Sequence, residues 1–333
     1  MIPKRKSRDV LKQRHLWLAL AAGVALLVHL ESLLESSEVP ISTQNKSSPF
    51  AGPETLSCRV IQEHKLNGTW SDPNEGEIYA RQLVSDPTHI VSVHRQSYDP
   101  LRWHHIFGQG QYYEYAVHDH FVSILNEAPA HAVVVDVGAN IGVYTLLSAT
   151  LGRQVLSFEI NPANLMRLCE SLSLNGLKER VTIMQRGVSD VDDVELEVVV
   201  PNNPGEAKME QGSGGVRTKT ITLDTLAQRR GWLENKDLEI ALLKIDVEGL
   251  EPQIIQGARA LLRSGKVRNV LTEFRGMERQ IAKDALDTLL NGGFTLVYET
   301  EGKVSVARSW EILKYLEENP KRDYVDLWFR WVA

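Results

Sequence analysis

The chain has 333 residues, 43% hydrophobic and 24% charged, too long for one minimal domain and suited to one large domain with appendages around a real core. A net charge of −6 argues against a broad nucleic-acid footprint, and no nucleic-acid partner is expected. Two cysteines, Cys58 and Cys169, cannot build a disulfide framework or close a four-ligand zinc site alone.

The N-terminal 15 residues carry Lys4, Arg5, Lys6, Arg8, Lys12 and Arg14 against a single Asp9, and the apolar run Leu16 to Leu30 follows. That run is shorter than the roughly 20 residues a bilayer core usually needs, and it overlaps the apolar region of a secretory signal. ESLLESSEVP after Leu30 offers a poor cleavage site, so the reading adopted is a signal anchor at 16–34 behind a basic cytosolic tail at 1–15. A cleaved signal, an organelle presequence and a buried helix are the competing readings. The anchor implies a single pass through a membrane, with the rest of the chain lumenal, in the Golgi or endoplasmic reticulum of a eukaryote. Residues 35–53 are rich in Ser, Pro, Thr, Asn and Gln and read as a flexible stem. Sequons at Asn45 and Asn67 agree with a lumenal glycoprotein.

Residues 54–114 read as an N-terminal extension, with a lid or cap over the active site as one use for it. Its adjacent His104 and His105 do not share a helix face, and no carboxylate stands at ligand spacing, so no metal site is expected. Cys169 lies among Leu165, Leu168 and Leu172 and reads as a small core residue. A Cys58–Cys169 bridge stays open if the compartment is oxidising.

From residue 115 to 333, apolar runs alternate with helical stretches. Strands are expected at Val133 to Gly138, Gln154 to Glu159, Val181 to Arg186, Ile240 to Asp246, Asn269 to Phe274, Phe294 to Tyr298 and Val325 to Trp331. Helices are expected at Gly142 to Leu151, Pro162 to Asn175, Glu251 to Leu262 and Arg279 to Asn291. Val194 to Val200 and Arg217 to Thr222 read as an inserted strand pair, joined by a polar Gly-rich loop from Asn202 to Gly215. The alternation predicts an α/β fold with a mostly parallel sheet covered by helices on both faces.

The informative segment is VVVDVGANIGVYTLLSA, Val133 to Ala149. Its glycines at 138 and 142 allow close backbone approach, and the helix that follows offers free N–H groups. The spacing is neither the dinucleotide fingerprint nor a phosphate-binding loop, so the turn suits a zwitterion such as a methionine moiety. Asp136 would accept from its ammonium, and Asn140 lies in the turn. Glu159 ends the next strand about 20 residues on, where Rossmann-type folds bind ribose hydroxyls. Ser189 and Asp190, after the third strand, are candidates for an adenine amine. LLKIDVEGLEP brings Asp246 and Glu248 to a strand end, and Glu273 ends its neighbour in LTEF. Clustered acids there could supply a general base, with helix capping as the alternative for Glu248.

Together VVVDVGANIGVYT, FEINPANL, the Leu-Asp-Thr-Leu at 223 to 226, LLKIDVEGLEPQIIQGA and LTEF resemble the FkbM family of methyltransferases. The resemblance spans about Tyr115 to Val332. It implies a Rossmann-like seven-stranded fold, S-adenosyl-L-methionine as methyl donor, and O-methylation of a hydroxyl on a sugar, glycan or small metabolite. It maps the donor onto Asp136, Gly138, Asn140, Gly142 and Glu159. Ile160 departs from the family's frequent Pro at that position. Two other classes stay in view. One is a membrane-anchored glycosyltransferase, for which Asp190-Val191-Asp192 offers a short metal-motif match. The other is a non-catalytic binding module that keeps the fold.

Overall fold

The computed structural model describes residues 50–332 except 51, 53, 67–69, 85, 113–114, 201–206, 211–215, 276–278, 300–301, 304–307 and 319–323. The predicted tail, anchor, most of the stem and both sequon asparagines lie outside the described residues. Among the described residues, no helix is long and apolar enough to cross a membrane.

In chain order, the extension contains α1 (Cys58–Leu66), β1 (Tyr79–Gln82) and β2 (Ile90–Val93), followed by a π-helical turn at Trp103–Gln109. Then come α2 (Tyr115–Glu127), β3 (Val133–Val137), α3 (Val143–Thr150), β4 (Val155–Phe158), α4 (Pro162–Leu174) and β5 (Val181–Met184). An insertion supplies β6 (Gly187–Val188), β7 (Glu195–Val199), β8 (Lys208–Glu210) and β9 (Val216–Ile221), with α5 (Leu223–Arg229) after it. The chain continues through β10 (Ile240–Ile245), α6 (Glu251–Gln256), α7 (Arg259–Arg263), β11 (Asn269–Arg275) and α8 (Arg279–Asn291). It closes with β12 (Phe294–Glu299), β13 (Gly302–Lys303), α9 (Ser309–Glu318) and β14 (Tyr324–Trp331).

The main sheet runs β13-β12-β14-β11-β10-β3-β4-β5. Seven of these strands are the ones predicted from the sequence, and the two-residue β13 is added at one edge. β11, β10, β3, β4 and β5 are parallel, while β14 runs antiparallel to both β11 and β12. β3 and β10 are buried at every position. This is why they read as unbroken apolar runs: helices cover both faces of the sheet, so no position faces water.

The inserted pair is larger than predicted. Residues Lys208–Glu210, inside the segment expected to be loop, form β8 against β7, and the four strands order as β6-β9-β7-β8. A Cβ at Gly187 would lie 2.0 Å from Met209 Sδ, so the bare glycine makes room for the one apolar side chain of β8.

The extension is packed along α4. α1 and β2 lie against that helix, and Ile61, Val91, Val93 and Ile106 share an apolar cluster with Leu165, Leu168 and Leu172. Polar contacts follow α4 turn by turn. Arg167, fully buried, pairs with Asp72 and Glu170; Ser92 Oγ donates to Glu170; Ser92 N–H donates to Ser171 Oγ; Asn175 holds both backbone groups of Ile90. Cys58 and Cys169 are joined by a disulfide across a Cα–Cα distance of 5.3 Å. Cys169 is therefore buried in an apolar cluster as expected, but as half of a bridge and not as a free thiol.

Candidate active site

The turn after β3 is set by backbone geometry. Gly138, at φ +84°, donates to Phe158 O, and a Cβ there would stand 1.8 Å from Asp246 O at the end of the adjacent strand β10. Gly142, at φ +91°, opens α3 and abuts Leu168 of α4, where a Cβ would fall 2.3 Å from Leu168 Cδ1. Between them Asn140 takes φ +55°, a left-handed conformation that asparagine tolerates, and its Oδ1 accepts from Ile141 N–H. No side chain caps α3, so its positive end is left to the turn.

Asp136 is fully buried beneath this turn. Its Oδ2 accepts from the Thr145 hydroxyl at 2.6 Å, which also meets Ser157 Oγ at 2.7 Å. Its Oδ1 has no partner among the described residues. Burial pushes the carboxyl above its usual range, and the Lys244 charge and the Thr145 hydroxyl pull it only partway back.

Glu159 is held from two sides. Oε2 accepts from Asn140 N–H at 2.7 Å, and Oε1 from Asn161 N–H at 2.7 Å, with the Asn164 amide at 3.5 Å. Burial raises its carboxyl to about 7 against the pull of those amides. The glycine turn and the acid of strand two, read separately in the sequence, are thus one hydrogen-bonded unit.

The second group of acids surrounds a residue that the sequence reading passed over. Lys244 is buried on β10, with Nζ 2.9 Å from Asp246 Oδ2 and 5.0 Å from the centroid of the Tyr144 ring. It stands in register with Asp136 on β3 and Leu271 on β11, and Glu273 two residues on is in register with Asp326 of β14. Alternation along the strands therefore carries Asp136, Lys244, Glu273 and Asp326 across one face of four neighbouring strands. A small, partly open pocket is lined there by Val117, Lys244, Asp246, Leu271, Glu273 and Asp326. The available signal was a lone lysine inside an otherwise apolar strand.

Glu248 adopts a left-handed φ of +62° in the loop after β10. It is Glu251 that ties this loop together: its Oε1 accepts from Val247 and Gly249 N–H, both at 3.0 Å. Ser189 and Asp190 bond to one another, and Ser189 O packs where a Cβ on Gly257 would lie 2.1 Å away. Neither bonds to the Asp136–Glu159 group. Asp192 accepts from Thr222 and Thr225 at the start of α5, so the second acid of the Asp-Val-Asp string is engaged in capping. Among the described residues no group of three or more His, Cys, Asp or Glu could hold a metal ion. His104 contacts Gln109.

A seven-stranded sheet in this order with one reversed strand, and acids at the ends of β3 and β4 around a glycine turn, defines a Rossmann-like methyltransferase fold. Residues 136–296 match the model of the methyltransferase FkbM domain. No curated protein matches the sequence. Solved structures to which the chain is similar include a precorrin-6y C5,15-methyltransferase from Geobacter metallireducens GS-15 (14% identity, 65% of this chain and 88% of that one, TM-score 0.35). An rRNA methylase from Streptococcus thermophilus is 12% identical over 65% of this chain and 96% of its own, with TM-score 0.37. Magnesium protoporphyrin IX methyltransferase from Synechocystis PCC 6803, solved with bound SAM, is 11% identical over 69% and 90%, with TM-score 0.36.

Proposed function

We propose that the chain transfers a methyl group from S-adenosyl-L-methionine to a hydroxyl oxygen of a sugar, glycan or small metabolite. The observation that carries this reading is the buried Asp136 Oδ1, without a partner among the described residues, beneath a turn that ties itself to Glu159. An orphaned buried carboxylate oxygen is costly unless a ligand or water satisfies it, and an ammonium does so. The turn and the positive end of α3 suit the neighbouring carboxylate. Glu159 Oε2 holds one backbone N–H and keeps a lone pair for a ribose hydroxyl, while Oε1 takes the Asn161 N–H and the Asn164 amide. The residues present therefore fit the donor, whose bound sulfonium supplies the activated methyl.

On the acceptor side, Lys244 fixes Asp246 at the rim of the pocket that Glu273 and Asp326 also line. Asp246 would take the acceptor's hydroxyl proton as that oxygen receives the methyl group that the bound donor would supply. Glu248 in the loop after β10 and Glu273 on the neighbouring strand are the other acids proposed for this side of the site. The Cys58–Cys169 disulfide supports an oxidising compartment, in line with a lumenal domain behind an anchor at 16–34.

The test is transfer of a labelled methyl group from the donor to extracts of glycans and small metabolites. Products heavier by one methylene, lost with Glu159→Ala, are expected. Donor binding by calorimetry without any labelled product would favour a binding module. No donor binding by the wild type would refute the reading.

A further inference from the structure

The family match begins at Asp136, yet the carboxylate at the centre of the donor site is reached from well before it. β2 ends at Val93, and His94 follows with its ring fully buried. His94 Nε2 lies 2.9 Å from Asn164 Oδ1, and the amide nitrogen of the same Asn164 turns to Glu159 Oε1. The Tyr98 ring packs edge-on against His94 at 4.8 Å, and its hydroxyl hydrogen-bonds to the Asn161 side chain. Asn161 in turn caps α4 with its side chain and gives its N–H to Glu159 Oε1. Both groups that approach Glu159 Oε1 are thus gripped from behind by one short segment of the extension.

Hydrogen-bond direction explains why a histidine suits this position. Asn164 must present its NH₂ to the carboxylate, so its Oδ1 faces His94 and needs a donor there. Burial pushes the His94 imidazole down to about 4, so it is neutral and carries one N–H. Nε2 carries that proton, because Nδ1 has no partner and could not spare it for the asparagine.

We infer that His94 and Tyr98 are positioning residues for Glu159: through Asn164 and Asn161 they fix the aim of the carboxylate that holds the donor ribose. The inference rests on the donor reading above and adds that a segment outside the family match helps set donor affinity. Neither residue touches the reacting atoms. Lys65, Asp72, Glu170 and Arg167, packed along the same helix, bond to one another and do not enter this relay.

The experiment is calorimetric titration of the full chain with S-adenosylhomocysteine. His94→Phe keeps a ring and removes the donor N–H, and it is expected to weaken binding about tenfold. His94→Gln, which restores an N–H donor, should recover most of that loss, and circular dichroism checks that both variants fold. In a Glu159→Gln background His94→Phe should cost less than about twofold, because the group it aims is gone. Equal losses in both backgrounds, or equal losses for Phe and Gln, would make His94 a packing residue and overturn the inference. Wild-type chain that fails to bind the ligand would instead overturn the donor reading itself.

Discussion

Glu159→Gln separates what this carboxylate does for binding from what it costs the fold. Both of its oxygens accept backbone N–H groups, so an amide in the same place can serve only one of them, a penalty that does not vary with pH. The carboxyl itself does vary. Its pKa rises from an ordinary 4.5 to about 7 in the folded chain. Between those values the folded protein holds a proton that the unfolded chain has released. The contribution of this group to stability is therefore fully present below about pH 4.5 and is lost as pH rises through about 7. Glutamine cannot titrate. The stability advantage of wild type over Glu159→Gln should shrink by about 2–3 kcal/mol from pH 5 to pH 8. Asp136 titrates in both proteins and largely cancels. Urea denaturation of both chains at several pH values, with the disulfide intact, measures the difference. A difference that stays constant within about 0.5 kcal/mol, or that widens with pH, would show that burial does not raise this carboxyl.

Asp246→Asn should lower turnover about a hundredfold with donor affinity changed less than about threefold. Near-normal turnover at saturating acceptor would make Asp246 structural, and lost donor binding would make it a cofactor ligand. Gly138→Ala should destabilise the fold by more than about 2 kcal/mol, since its Cβ would meet a backbone oxygen from a left-handed φ, and a melting temperature unchanged within error would contradict that. Replacing Cys58 and Cys169 with serine opens a link across 111 residues and should cost roughly 2–5 kcal/mol in chemical denaturation. In a eukaryotic host Asn45 and Asn67 should carry glycans, seen as a mobility shift on deglycosylation, and no shift at either would argue against a lumenal domain.

The central strands were legible because each is buried on both faces and ends in an acid or glycine, a pattern that few other elements share. Asp136, the glycine turn and Glu159 followed from that spacing. What sequence could not give was the bonding between them: that Asn140 N–H, in the turn, belongs to Glu159. Lys244 escaped because a single lysine in an apolar run carries no sign of the carboxylates brought beside it by parallel register. β8 escaped because its residues sit among glycines and polar side chains, and only Met209 has an apolar seat. The extension was opaque for a different reason. Its strands are four residues long, and its partners on α4 lie some 70 to 110 positions away.

The grip on α4 separates two boundaries that are easily confused. The stretch that the family model matches starts at Asp136, but the stretch that folds starts far earlier. A chain cut between them would turn Arg167, Glu170, Ser171 and Asn175 out to solvent and strip the oily side of α4 bare. The matched portion would then be missing a wall. Its surface would suit self-association better than solubility, and Glu159 would stand just before a helix free to shift. For this protein the matched stretch is smaller than the unit of folding, and a bridge at Cys169 stitches the two together.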